Sequence, residues 1–299
     1  IIGAGYMAEE HIKAFKDIGS IHICGIFSRT KSKSIKLAEK YKISKVYESI
    51  SLMYEGSRPE LVVVAVSEIS LSLICHEIFK FSWRVLIEKP LGYDYQNALE
   101  IFEISRKYNQ KFIYAAFNRR HYSSTRSVQK DLELFEGKRL VSVLDQESPN
   151  KEEFNEEKKI YFNYMYANSI HLIDYFNIFC RGTITDIKPI IKWNPEEPLY
   201  VSSFLEYSSG DIGIYQANWF SPGPWSVSIS TPNRRWEMRP LETASFQSIN
   251  SRKKEDLKIH KWDKLFKPGL RYQAEEFVKS FYGISNSLPT IETSLKSMK

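Results

Sequence analysis

From Ile1 to about Asn118, short apolar runs rich in β-branched residues alternate with longer segments whose apolar positions recur with helical period. That is the pattern of parallel strands joined by crossover helices. Strands are expected at Ile1–Ile2, Ile21–Phe27, Leu61–Val66, Arg84–Ile87 and Phe112–Ala116, and helices at Met7–Asp17, Lys31–Tyr41, Leu71–Phe81 and Tyr95–Tyr108. Because the chain opens inside an apolar segment, the first strand is expected to have residues before Ile1. After about Arg119 period two takes over, in Arg139–Glu147, Val201–Tyr207, Asp211–Trp219, Trp225–Ser230 and Arg235–Arg239. Trp225, Val227 and Ile229 alternate with serines, as in an antiparallel strand with one face on a core. Turns are expected at Ser209–Gly210–Asp211 and Pro222–Gly223–Pro224, and helices over Asn168–Cys180 and Leu270–Tyr282 should cover the sheet. The prediction is an α/β chain: a doubly wound parallel sheet in residues 1–118, then an α+β domain in residues 119–299 with a large, mostly antiparallel open sheet.

Length agrees with two domains, since 299 residues exceed what one hydrophobic core usually serves. With 42% hydrophobic and 26% charged residues the composition is that of a globular protein. The net charge of +6 comes without a strongly basic tract and makes no case for nucleic acid. Cys24, Cys75 and Cys180 are far apart, which fits a reducing compartment and neither a disulfide framework nor a thiolate metal cage. The longest apolar run, Leu61–Val66, is far short of the roughly 20 residues of a membrane span, and no targeting segment is visible. A cytoplasmic protein without metal or membrane contact is expected.

Gly3, Ala4, Gly5, Tyr6, Met7 and Ala8 spell GxGxxA between a predicted strand and a predicted helix. Gly3 permits the tight turn, Gly5 lets the backbone approach a pyrophosphate, and Ala8 lets the helix pack close. The unpaired amides at the helix start then stabilise phosphate charge. An NAD site would place a carboxylate at the end of the second strand to accept from the ribose hydroxyl. Here that position is Ser28, followed by Arg29 and Thr30, a set suited to a 2′-phosphate. NADP(H) is therefore favoured over NAD(H). Further on, Glu88–Lys89–Pro90–Leu91–Gly92 ends a strand, where ligands bind in open α/β sheets. A partly desolvated lysine there can exchange protons near neutrality.

The glycine turn, the EKPLG segment at 88–92, Phe117–Asn118–Arg119–Arg120 and Ser169–Ile170–His171–Leu172–Ile173–Asp174 occur in this order. In this the chain resembles the Gfo/Idh/MocA family of sugar and inositol oxidoreductases over essentially its whole length. The resemblance implies an N-terminal Rossmann domain, a C-terminal substrate and oligomerisation domain, a tightly held NAD(P), and homodimers or homotetramers formed through the open sheet face. It places Lys89 beside the nicotinamide, before a proline that is often cis, and His171 across the substrate. It also extends cofactor contact to Ser67, Glu88 and Asn118.

His171 falls in the first turn of the helix expected from Asn168, where the dipole favours a neutral imidazole able to take a proton. Asn168 is either a helix cap or a substrate amide donor, and Asp174, one turn on, either orients His171 or is structural. Two departures stand out: the acid four positions before this histidine is replaced by Ala167, and the segment after Val66 reads Ser67, Glu68 and Ile69 where the family often has threonine, proline and asparagine. Arg119 and Arg120 are candidate phosphate ligands at the domain junction. Tyr161, Tyr164 and Tyr166 can line a sugar or belong to the core. The expected function is hydride transfer between NAD(P) and a secondary alcohol or ketone of a sugar, such as a nucleotide-activated deoxy or amino sugar. The alternatives are a cofactor-binding member that no longer turns over, as corepressors on this scaffold do, and a reductase of a non-sugar substrate.

Overall fold

The computed structural model describes residues 1–148, 158–194, 196–197, 199–223 and 225–299, in two compact units: residues 1–118 with 264–299, and residues 119–263. In the first unit, helices α1 (Tyr6–Lys16), α2 (Lys31–Tyr41), α3 (Ile50–Ser57), α4 (Glu68–Ile78) and α5 (Tyr95–Lys107) alternate with strands β1 (Leu61–Val64), β2 (Arg84–Glu88) and β3 (Ile113–Ala116). The three strands pair in parallel, Val62 opposite Val85 and Ile87 opposite Ala115. Single parallel bridges Ile2–Val64, Ile2–Phe27 and Ile26–Val46 extend the sheet on the β1 side. The spatial order is that of a doubly wound dinucleotide fold, with its switch point between Ile2 and β1. Of the expected strand Ile21–Phe27, only Ile26 and Phe27 bridge to neighbours.

In the second unit, β4 (Leu140–Asp145), β5 (Ile184–Ile191), β6 (Tyr200–Tyr207), β7 (Ile212–Asn218), β8 (Ser226–Ser230), β9 (Arg234–Met238), β10 (Ser245–Ser248) and β11 (Glu255–Asp256) form one sheet in the order β11-β10-β9-β8-β4-β7-β6-β5. All pairs are antiparallel except β4 with β7. Helices α6 (Ser123–Leu132), α7 (Lys158–Phe162) and α8 (Ile170–Phe179) and a short α9 (Trp262–Leu265) complete this part of the chain. Val141, Val143, Val227, Ile229, Trp236 and Met238 share a core with Leu172, Tyr175, Phe176 and Phe179 of α8. The predicted turn at 222–224 includes Pro224, which lies outside the described residues.

Two expectations are corrected. The tail 264–299, assigned with the second domain, packs in the first: α10 (Leu270–Phe281) and α11 (Ile291–Met298) follow α9. Leu270, Ala274 and Phe277 share a core with Phe15, Val63, Leu86 and Ala116. Spacing of i, i+4 and i+7 announces an amphipathic helix but does not say which sheet it covers. Second, helical backbone does not begin at Asn168. It is already present in α7 and runs through a π-helical turn, Met165–Ser169, into α8. His171 is therefore not beside a helix N-terminus, and the dipole argument for its neutrality lapses.

The far end of α8 is fixed by Asp211, which is fully buried just before β7. Its Oδ2 accepts from the Arg181 amide (2.9 Å) and Nε (2.9 Å), and its Oδ1 from Arg181 Nη2 (2.7 Å) and the Arg139 amide (2.9 Å). Burial alone would raise this carboxyl, but those bonds outweigh it and hold the pKa at about 2 against an ordinary 3.8. A depressed pKa gives stability that is complete above the unfolded value and lost as pH falls from about 4 toward 2. Asp211→Asn is expected to lower unfolding free energy at pH 7 by on the order of 2 kcal/mol. The deficit relative to the parent should shrink through that acid range in denaturant titrations; a deficit independent of pH would contradict the assignment.

Candidate active site

The switch point of the first unit opens a cleft of about 210 Å³ lined by Gly3, Ala4, Gly5, Ser28, Arg29, Thr30, Lys33 and Ser67, among others. Gly3 has φ +110° and carries the turn, with its amide donating to Phe27 O (2.8 Å). Gly5 is extended (φ −89°, ψ −174°) and caps α1 without a side-chain bond. A Cβ on Gly5 would meet no atom within 4 Å. The space it would project into is the approach a pyrophosphate needs to the first amides of α1. On that observation the residues present fit a dinucleotide.

At the far side of this cleft, Arg29 Nη2 donates to Ser70 Oγ (2.7 Å), and Ser70 Oγ is 3.0 Å from Ser67 Oγ. The Thr30 amide donates to Ser28 Oγ (3.3 Å). Arg29 and Lys33 bring two cations to the lining, which among the described residues holds no carboxylate. Tyr6 is exposed with the Lys267 ammonium 5.1 Å from its ring centroid, and Met7 packs at the edge of the core shared by α1 and α10.

Lys89 follows β2 directly, and its bond to Pro90 is cis. Two expected cofactor contacts are otherwise engaged. Glu88 is buried, its Oε1 2.7 Å from Nε2 of the fully buried His11. Asn118 is buried with Nδ2 donating to Pro268 O (3.0 Å).

In the second unit His171 is buried one residue into α8. Asn168 is not a helix cap: it sits within the π turn, and its Nδ2 donates to both oxygens of Glu147 (2.8 and 2.9 Å). Glu147 is buried, as is Asp145, whose Oδ2 accepts from Tyr215 OH (2.7 Å). Burial pushes the Asp145 carboxyl up, against hydrogen bonds with Ser169 and Tyr215 and the charge of Arg119. Tyr215 is raised by burial and by Asp145. Carboxyl groups thus stand beside the π turn although position 167 is alanine. They were missed in the sequence, yet the signal was there: Asp145 and Glu147 continue the inward phase of Val141 and Val143, and an acid in core phase is a candidate functional group.

One of the two expected arginines is engaged within the protein. Arg120 Nε and Nη2 donate to Asp174 Oδ2 (2.6 Å) and Oδ1 (2.5 Å), which commits this guanidinium to a protein carboxylate and gives Asp174 a structural partner. Arg119 is buried and stacks 4.1 Å from the Trp225 ring centroid. Tyr164 packs edge-on to Trp219 at 5.5 Å, so its ring belongs to the margin of the core.

Residues 1–116 match the family model described as oxidoreductase family, NAD-binding Rossmann fold, of GFO_IDH_MocA. Solved structures share the fold over 99% of this chain. One is a putative NADPH-dependent oxidoreductase from Desulfitobacterium hafniense (TM-score 0.82, 15% identity, 91% of that chain). Another is UDP-N-acetylglucosamine 3-dehydrogenase GnnA from Acidithiobacillus ferrooxidans (TM-score 0.79, 12% identity, 92% of that chain). A third is levoglucosan dehydrogenase in complex with NADH and levoglucosan (TM-score 0.80, 12% identity, 93% of that chain). No match was found among curated proteins. Residues 1–116 thus match the NAD-binding Rossmann domain of the Gfo/Idh/MocA oxidoreductase family, and the whole chain shares the fold of these solved oxidoreductases.

Proposed function

We propose that the chain is an NADP(H)-linked oxidoreductase that interconverts a secondary alcohol and a ketone on a sugar, such as a nucleotide-activated one. The observation that carries this reading is the switch-point cleft, where an open glycine turn for a pyrophosphate faces Arg29 and Lys33. Sugar-directed names among proteins of the same fold support the substrate class. A bound nicotinamide dinucleotide supplies the two-electron redox chemistry. The chain's own residues do the rest. The first amides of α1 hold the phosphates, and Arg29 pairs with the 2′-phosphate. In the direction of ketone reduction, Lys89 Nζ donates to the oxygen as negative charge develops on it. In the reverse direction, alcohol oxidation, His171 accepts the proton that leaves the substrate hydroxyl.

The test is to incubate purified protein with NADPH and a panel of keto sugars, free and nucleotide-linked, and to follow absorbance of the reduced nicotinamide. Consumption with a member of the panel is expected. Tight binding of NADPH with no consumption by any member favours the non-catalytic reading and ends this one.

For the cofactor, Arg29→Ala is expected to weaken NADPH by roughly 10- to 100-fold while leaving NADH nearly unchanged, the loss of one charge-assisted pair with a phosphate. Fluorescence titration with both nucleotides checks it, and an unchanged preference removes the NADP assignment. Self-association is assigned to the outer strand β5, exposed along its length with Ile184, Ile187, Ile190 and Ile191 open to solvent. An apolar edge strand of that kind invites pairing with a second copy. Ile187→Glu together with Ile190→Glu should sediment as a smaller species than the parent; identical sedimentation refutes the assignment.

A further inference from the structure

His11 stands on the inward face of α1, in phase with Ala8, Ile12 and Phe15, all buried. A histidine in that phase needs a polar partner, and it has one: Glu88 Oε1 at 2.7 Å, on the last residue of β2. Both side chains are more than nine-tenths buried. Nδ1 of His11 is buried with no partner among the described residues, so the geometry takes the tautomer in which Nε2–H donates to the carboxylate. A helix has 3.6 residues per turn, which puts His11 about one and a half turns from the first amides of α1, where the pyrophosphate is placed. Glu88 is joined by one peptide bond to Lys89.

We propose that His11 is a positioning residue: by holding Glu88 it fixes the backbone from which Lys89 leaves, so one buried hydrogen bond ties the dinucleotide-binding helix to the lysine. Removing the donor leaves a buried carboxylate without its partner. That carboxylate is then released from α1, and the backbone next to Lys89 loses its tie to the helix. The inference rests on the reading of Lys89 as the group that handles the substrate oxygen.

Three variants test it. His11→Gln keeps an N–H at about the reach of Nε2, His11→Asn falls short of Glu88, and His11→Leu fills the space without a donor. The first readout needs neither cofactor nor substrate: the rate of acetylation of the Lys89 amine by acetic anhydride, followed by mass spectrometry with exposed Lys111 as internal reference. The Asn and Leu variants are expected to change the Lys89 rate by about threefold or more, and the Gln variant to stay near the parent, since a lysine's reactivity follows its surroundings. The second readout is single-turnover reduction of a ketone accepted by the parent, expected to slow roughly 10- to 100-fold in the Asn and Leu variants and to recover in the Gln variant. If His11→Leu does not fold, the Asn and Gln pair decides. Asn and Gln variants with the same Lys89 acetylation rate overturn the proposal. Should Lys89→Ala keep the parental turnover rate, the role given to Lys89 fails instead, and acetylation still judges the His11 tie by itself.

Discussion

Replacing Lys89 with alanine is expected to slow single-turnover ketone reduction by about 10²- to 10⁴-fold, the usual contribution of a positioned proton donor. Dinucleotide affinity should stay close to that of the parent, because the phosphates are held by the turn at Gly3–Gly5 and not by this side chain. The placement argues for a loss in the chemical step. Lys89 leaves the carboxyl end of β2, the end at which open α/β sheets bind their ligands, and it is followed by the buried Pro90 and Leu91. A lysine there gains little by packing and a good deal by meeting an oxygen whose charge grows in the transition state. Lys89→Arg tests that point. It keeps the positive charge but spreads it over a planar fork in place of a compact ammonium, so it should recover only part of the rate. His171→Ala is expected to lose rate in the same assay, and His171→Asn, which keeps a donor without a titrating ring, should not restore it. Parental rates in both Lys89→Ala and His171→Ala would show that the chemistry belongs to other residues.

The sequence carried much of the first unit because most elements of residues 1–118 are announced locally, although α3 and, in the tail, α11 were not predicted. The runs at Leu61–Val64 and Arg84–Glu88 are too short and too β-branched for helices, and α2 occupies the predicted span Lys31–Tyr41 because its apolar period and its start after Thr30 coincide. Helix α4 begins at Glu68, three residues before the predicted start, since Glu68 and Ser70 interrupt the apolar positions ahead of Leu71. What local pattern does not hold is partnership. The face of α10 was legible and the sheet beneath it was not, because any apolar sheet face satisfies the same stripe. The site shows the same division. The glycine turn and the run Ser28–Arg29–Thr30 are contiguous and could be read directly. Glu147 with Asn168, Arg120 with Asp174 and His11 with Glu88 are pairs made across 21, 54 and 77 residues of chain. Only a polar residue standing in apolar phase hints that such a partner exists. The π turn was invisible for a related reason: an extra residue in a helical turn leaves little mark on a period read over so short a stretch.

The two glycines of the turn are expected to fail in different ways when replaced by alanine. At Gly3 a Cβ would lie 2.0 Å from the carbonyl oxygen of Ala65 and 2.7 Å from its carbon. Both are backbone atoms of the segment that continues β1, and φ there is +110°, a region L residues rarely adopt. Relief requires pulling Ile2 away from β1, which breaks the bonds Ile2 N to Val63 O and Ala65 N to Ile2 O, each 2.8 Å. Strain together with two lost ladder bonds amounts to roughly 3 to 5 kcal/mol, so Gly3→Ala should unfold at a markedly lower temperature whether or not nucleotide is added. At Gly5 the backbone is one any residue can adopt and the Cβ meets nothing. Gly5→Ala should therefore melt with the parent, since the added methyl costs the folded chain nothing. The methyl instead occupies the approach to the α1 amides, and nucleotide affinity should fall by about 100-fold or more, the cost of displacing a phosphate from charge-assisted contacts. Thermal melts with and without NADPH separate the two cases, because ligand raises the midpoint only of a protein that binds it. A Gly5→Ala protein stabilised by NADPH as strongly as the parent would mean that the pyrophosphate does not lie on this turn, and the dinucleotide reading of the cleft would go with it.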